Sequence, residues 1–291
     1  MTSDTQTDAT PAQGPVLVVG GTGKTGRRVV ARLRERGVET RAASRSGDTP
    51  FDWQDRTTWQ TALDGAAALF VVPLDASPSP TPALIEQAVA SGVRRIVLLS
   101  ARGVDTPGYF GPGQDGGGPH GEGEQAVRAA GVPWTILRPG WFAQNFDEGA
   151  FLPGVRGGTL ALPTGDGRAA FVDADDIADV AVAALTEDGH TGEVYELSGP
   201  RALSIPEALE EIAKESGVRA AFVSIDESTF RDGLLSQGVS EVEADLWTGA
   251  LRPIAASREA VVLDGVRRAL GREPRDFTDF VRDAAARGAW G

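Results

Sequence analysis

Two rhythms of apolar residues alternate along the chain: short β-branched runs, and longer segments with an apolar residue at every third or fourth position. Val16-Leu17-Val18-Val19 is apolar throughout and stops at glycine, which predicts a buried parallel strand. Residues 24–36 carry Val29, Val30 and Leu33 on one helical face and end at Gly37. The same reading predicts a strand over 38–43, a helix over 57–63 and a buried strand over 67–72 closed by Pro73. A helix over 82–90 and the strand Arg-Arg-Ile-Val-Leu-Leu over 94–99 follow.

Residues 101–121 are crowded with Gly and Pro and show no period, which predicts a long loop of the kind that forms a lid or stays disordered. The alternation then resumes with a helix over 122–130, a strand over 134–137, a helix over 175–185 and a strand over 193–197. The last ninety or so residues read as mostly helical, with helices over 205–216 and 277–286 and one strand near 222–225. Repeated strand–helix alternation predicts an α/β protein with a doubly wound parallel sheet.

Composition narrows the function. With 41 acidic against 28 basic residues the net charge is −13, the wrong field for a nucleic-acid surface. There is no cysteine, which excludes disulfides, thiolate nucleophiles and cysteine-ligated metals. No apolar run approaches the roughly 18–20 residues that span a bilayer. Residues 1–14 are polar and lack the basic flank and apolar stretch of a secretory signal, so they read as a disordered tail and the expected location is cytoplasmic.

The first strand runs into Gly20-Gly21-Thr22-Gly23-Lys24-Thr25-Gly26, and a helix opens there. Glycines at 20, 23 and 26 allow a tight turn and close approach of the backbone to a pyrophosphate, whose charge then meets the helix N-terminus. The spacing alone specifies little; its placement between an apolar strand and an amphipathic helix specifies a Rossmann-type dinucleotide site. Gly23-Lys24-Thr25 also resembles the end of a P-loop, but that motif needs glycine where Val18 stands. The expected cofactor-side residues are Gly20, Thr22, Gly23, Lys24, Thr25 and Gly26, with Val72 and Pro73 at the end of a neighbouring strand.

An enzyme using NAD places Asp or Glu at the end of the second strand to hold the ribose hydroxyls. Here that strand ends Ala42-Ala43-Ser44-Arg45, and Glu39 lies near its start. Ser44 and Arg45 instead offer a hydroxyl and a guanidinium fork suited to a 2′-phosphate, which favours NADP(H). Arg45 read blandly is a solvated loop residue.

The fold suggests a short-chain dehydrogenase, whose usual pair is Y-x-x-x-K. The only tyrosines are Tyr109 and Tyr195, and four residues beyond them stand Gly113 and Gly199; the only lysines are Lys24 and Lys214. The pair is absent. In its place stand His120 and Glu124, four apart and so on one helical face, where the carboxylate can orient the imidazole. A histidine opening a helix can equally face solvent. Ser100, at a strand's carboxyl end, suits a hydrogen bond to substrate or cofactor ribose, or the capping of a turn. Beyond the strand at 134–137, Trp141-Phe142-Ala143-Gln144-Asn145-Phe146 places aromatic rings and two amides where a flat ligand can be covered; Asn145 is the expected polar contact.

Together these residues resemble the NmrA-like, atypical short-chain dehydrogenase/reductase family. The resemblance rests on residues 20–26, Leu99-Ser100-Ala101, His120-x-x-x-Glu124, Trp134-Thr-Ile-Leu-Arg-Pro-Gly140 and Gln144-Asn145-Phe146. It extends to Phe171-Val-Asp-Ala-Asp175 and Leu270-Gly-Arg-Glu-Pro-Arg-Asp-Phe277. It implies a Rossmann domain over 15–200, with 141–171 contributing to a substrate cleft, and a small, mostly helical C-terminal substrate lobe over 201–291. It also implies NADP(H) binding and a small-molecule substrate, in a monomer or homodimer without nucleic-acid or membrane partners. The expected activity is NADPH-dependent reduction of a quinone, enone, imine or ketone. The alternatives are a non-catalytic NADP(H) redox sensor and a non-redox epimerase or cyclase on the same fold.

Overall fold

The computed structural model describes residues 14–75, 78–111 and 117–291. The expected N-terminal tail lies outside them, apart from Gly14. The chain forms two compact units that interleave in sequence: one holds residues up to 99 with 122–136 and 178–194, the other 100–121, 137–177 and 195–291.

The elements run β1 (Val16–Val19), α1 (Lys24–Glu35), β2 (Thr40–Ser44), β3 (Thr49–Pro50), α2 (Thr57–Leu63), β4 (Ala68–Val71), α3 (Thr81–Ala90) and β5 (Arg95–Leu99). There follow α4 (Gly118–Ala129), β6 (Trp134–Pro139), a 3-10 turn (Ala143–Asn145), α5 (Leu152–Arg156), β7 (Thr159–Leu162), β8 (Arg168–Ala169), α6 (Ala174–Thr186) and β9 (Glu193–Leu197). The remainder is β10 (Leu203–Ser204), α7 (Ile205–Ser216), β11 (Ala221–Ser224), α8 (Glu227–Ser236), α9 (Glu241–Ala255), a 3-10 turn (Arg258–Ala260), α10 (Gly265–Leu270) and α11 (Phe277–Ala286).

Seven strands form the central parallel sheet in the order β3-β2-β1-β4-β5-β6-β9. Growth reverses between β1 and β4, the switch point at which a doubly wound sheet opens a crevice beyond its strand ends. β1 and β4 are buried along their whole length, as their unbroken apolar sequences require of strands covered on both faces. The first unit's core gathers β1, β4 and β5 with Trp59, Leu63, Leu84 and Ile85. Each fully buried residue of this kind contributes about 1.5–3 kcal/mol.

The second unit has its own core, centred on Phe146, Phe151, Phe171, Phe277 and Phe280. Phe146 meets Phe151, Phe171 and Phe277 edge to face, at 5.1, 5.3 and 5.5 Å between ring centres. α7 starts on a capping box in which Ser204 and Glu207 exchange hydrogen bonds, and it stops at Gly217, φ 76°.

Two expectations change. α4 begins at Gly118, four residues before the apolar pattern starts, and so includes His120. A first helical turn makes no demand on its own N–H groups, which lets Gly118-Pro119-His120-Gly121 enter the helix without an apolar face. Periodicity also left out β3, α5, β7, β8, β10 and α10, which are short, α8, which buries no residue, and α9, whose apolar face is interrupted by exposed Val242 and Leu246.

Candidate cofactor and active site

Register builds the cofactor side. Val19 pairs with Ala43 on one side and with Val71 on the other, so Gly20 and Val72, one step past their strands, stand beside Ser44, the last residue of β2. Gly20 has φ 80°, and a Cβ there would stand 2.9 Å from the Cβ of Val72. A Cβ on Gly26 would lie 2.1 Å from the carbonyl oxygen of Gly20, an impossible approach. Gly23 is less constrained, at 3.3 Å from the same oxygen. The loop thus folds back on its own helix, as the two outer glycines require.

Gly23 caps α1 without any side-chain hydrogen bond, and the first turn contains no acid. The positive end of a helix so begun suits an anion such as a pyrophosphate. Lys24 is half-buried in that turn and Thr25 is buried. At the end of β2, Thr22 donates a hydrogen bond to Ser44 Oγ at 2.9 Å, joining residues 22 positions apart. Arg45 is exposed next to it, and Pro73 is half-buried beyond Val72.

Of the residues expected to meet the substrate, Ser100 is buried after β5 and its N–H donates to the carbonyl of Leu137 at 2.7 Å. His120 sits half-buried in the first turn of α4. Glu124, one turn on, is buried and pairs with Arg128 at 3.4 Å. The two amides of the aromatic segment part company. Gln144 is buried, donates to Asp173 Oδ1 at 2.7 Å and accepts from the Ala174 N–H at 2.7 Å, fixing the 3-10 turn to the start of α6. Asn145 is half-buried, and its carbonyl accepts from the Phe151 N–H at 2.9 Å. Burial of Asp173 pushes its carboxyl up to about 6.

The sequence reading missed a buried polar cluster. Tyr109 donates to Glu259 Oε1 at 2.6 Å across 150 residues, and Arg102 approaches Glu259 Oε2 at 3.6 Å. Burial raises the Glu259 carboxyl, and burial beside that carboxylate raises the Tyr109 phenol even more, well above its usual range. Held this way, Tyr109 is a structural donor. Arg102 also donates to the Val261 carbonyl at 3.1 Å, Arg258 to the Tyr109 carbonyl at 2.8 Å, and Arg138 meets Asp105 at 2.6 Å. The described part of the expected lid is therefore fastened at several points to the second unit's own residues. Only the abundance of Gly and Pro was visible in the sequence, and it gave no sign of these partners.

The second late motif meets the residue that follows the first. Asp176 is fully buried, accepts from the Arg275 N–H at 2.7 Å, and pairs with the guanidinium groups of Arg275 and, at 2.8 Å, Arg272. Those residues fasten α6 rather than perform chemistry. Among the described residues no cluster of His, Asp and Glu suits a metal, and no helix is long and apolar enough to cross a membrane.

A glycine loop at the switch point of a doubly wound sheet, with an uncapped helix behind it, defines a dinucleotide-binding protein. The chain belongs to the NAD(P)H-binding family, whose model matches residues 20–188. It is 32% identical to the NAD(P)H azoreductase of Xenophilus azovorans, across 93% of this chain and 98% of that one. It is 33% identical to an uncharacterized oxidoreductase of Bacillus subtilis, across 94% and 96%. An NADPH-dependent quinone oxidoreductase from Escherichia coli shares the fold with a TM-score of 0.73 at 23% identity, across 92% and 98% of the two chains. The protein is an NAD(P)H-dependent oxidoreductase without the Y-x-x-x-K pair.

Proposed function

We propose that the protein is an NADPH-dependent reductase delivering hydride to a flat, electrophilic small molecule: a quinone, enone, imine or ketone. The observation that carries this reading is the end of β2, where Ser44 is joined to Thr22 of the glycine loop and Arg45 stands exposed. β2 itself holds no carboxylate. A hydroxyl pair with a guanidinium suits a 2′-phosphate, whereas a ribose diol calls for an acid. Relatives named as an NAD(P)H azoreductase and as a (4-alkanoyl-5-oxo-2,5-dihydrofuran-3-yl)methyl phosphate reductase support an electrophilic acceptor.

A dihydronicotinamide dinucleotide held by the backbone of residues 20–26 with Ser44 and Arg45 would supply the hydride. The chain's own part is orientation and the proton. His120 holds a proton for the heteroatom of the acceptor, with Glu124 one turn away to orient the ring. Ser100 and Asn145 position the acceptor by hydrogen bonds. A ketone needs that proton at oxygen, while a quinone or iminium needs less help, so the missing tyrosine and lysine favour the latter two.

Mixing the protein with NADPH and a panel of quinones, iminium ions and ketones, and following the reduced-nicotinamide absorbance, tests this reading. Turnover of at least one quinone or iminium is expected. Tight NADPH binding with no turnover of any acceptor would overturn it. For the cofactor, Arg45→Asp should weaken NADPH binding at least ~10-fold more than NADH binding, the loss of one charge-assisted contact. Equal losses would remove the 2′-phosphate role.

A further inference from the structure

The loop that carries Ser44 and Arg45 is built on a residue outside the sites described so far. Asp48 Oδ1 accepts a hydrogen bond from the backbone N–H of Ala42 at 2.8 Å. Pairing of β2 with β3 starts only at Ala43 with Thr49, so the carboxylate takes the place of one more rung on the outer edge of β2. Its second oxygen pairs with Arg34, from the last turn of α1.

The turn between is closed from several sides. The Ser44 carbonyl accepts from the N–H of Phe51 at 3.1 Å and of Gly47 at 3.4 Å, and Ser44 Oγ accepts from the Ser46 N–H at 3.2 Å. A Cβ on Gly47 would fall 2.1 Å from the Ala42 carbonyl oxygen, so the chain lies directly against its own strand. Arg45 and Ser46 are exposed at the crest.

We propose that Asp48, neutralised by Arg34, is a positioning residue for cofactor discrimination. It fastens the base of the turn so that Ser44, Arg45 and Ser46 are preorganised for a phosphate dianion, and it keeps its own charge away from that dianion. Two effects combine. Ordering Arg45 before binding removes an entropic cost from NADPH association. Drawing the carboxylate onto Arg34 and the Ala42 N–H prevents it from competing for the Arg45 guanidinium three residues away. The inference rests on the 2′-phosphate reading of Ser44 and Arg45.

The test measures dissociation constants for NADPH and NADH by quenching of tryptophan fluorescence, with a melting curve for each variant. Asp48→Ala should raise the NADPH constant at least fivefold and the NADH constant less than twofold. Asp48→Asn keeps an oxygen for the Ala42 N–H and should restore most NADPH affinity. Arg34→Ala, which leaves the carboxylate without its cation, should weaken NADPH binding selectively, and adding Asp48→Asn to it should reverse that loss. Parallel losses for both dinucleotides, or no loss in any variant, would overturn the proposal. Arg45→Asp separates the two levels. If it is selective while the Asp48 and Arg34 variants are not, Asp48 has no such role and the 2′-phosphate site stands. If it is not selective, both fall together.

Discussion

The glycine loop and the segment around Tyr109 do similar jobs with opposite materials. Residues 20–26 shape a site through backbone alone: a positive φ at Gly20, a contact between Gly26 and the Gly20 carbonyl, and N–H groups with no side-chain cap. The stretch 100–111 is shaped by side chains reaching across the sequence, with Tyr109 and Arg102 on Glu259 and Arg138 on Asp105. A site made of local backbone tolerates no added atom but needs no distant partner. A site made of distant side chains tolerates changes of shape and fails when one polar partner is left alone in the interior.

The largest effect should come from adding one methyl group to the loop. Gly26→Ala forces a Cβ into the Gly20 carbonyl and should weaken NADPH binding by at least ~100-fold, about 2.7 kcal/mol. Gly23→Ala, with 3.3 Å of room, should lose less than about tenfold. A tryptophan-quench titration of the pair reads this, and similar losses at both positions would show that helix position, not backbone clearance, controls the site.

On the other side of the comparison, Tyr109→Phe removes the short hydrogen bond to Glu259 and leaves the buried carboxylate to Arg102 and the Trp141 N–H. It should cost about 1–3 kcal/mol in urea unfolding while the NADPH dissociation constant stays within twofold. Tyr109→Phe with Glu259→Gln should lose less than the sum of the two single changes, as expected of residues in one network.

His120→Ala tests whether the substrate side also does chemistry. Its kcat should fall about 10²-fold on a ketone and much less on a quinone, with cofactor affinity unchanged. Equal, small effects on both acceptors would make His120 a solvated helix residue.

The last effect is a pH dependence. The Asp173 carboxyl is raised to about 6 from its ordinary 3.8, so the folded state binds more protons than the unfolded one between those values. Ionising it in its buried position is unfavourable. Stability should therefore decline as pH rises through roughly 4 to 6 and level off above, by at most about 1.4 kcal/mol per pH unit. Asp173→Asn keeps an oxygen for Gln144 and the Asp175 N–H and should flatten that slope, measured as melting temperature against pH. An unchanged slope would place the titrating group elsewhere.

Legibility in the sequence follows the same division. β1, α2, β9, α7 and α11 lie where hydrophobic period and punctuation put them, because each is decided by residues a few positions apart. The neighbours of Gly20 follow from strand ends: β1, β2 and β4 stop at almost the same level, and the register sets Ser44 and Val72 beside Gly20. Gln144 could not be told from Asn145, because an amide's role depends on what faces it, and Asp173 stands 29 residues away.

What the chain determines by itself is the alternation of strand and helix and the glycine loop, since both are written in local sterics and period. Only the folded molecule decided that Tyr109 serves Glu259, that Asp176 holds Arg272 and Arg275, and that Asp48 reaches back to the Ala42 N–H across the turn that carries Arg45. Those pairings join groups brought together by packing, and one-dimensional order carries no record of which buried charge will meet which.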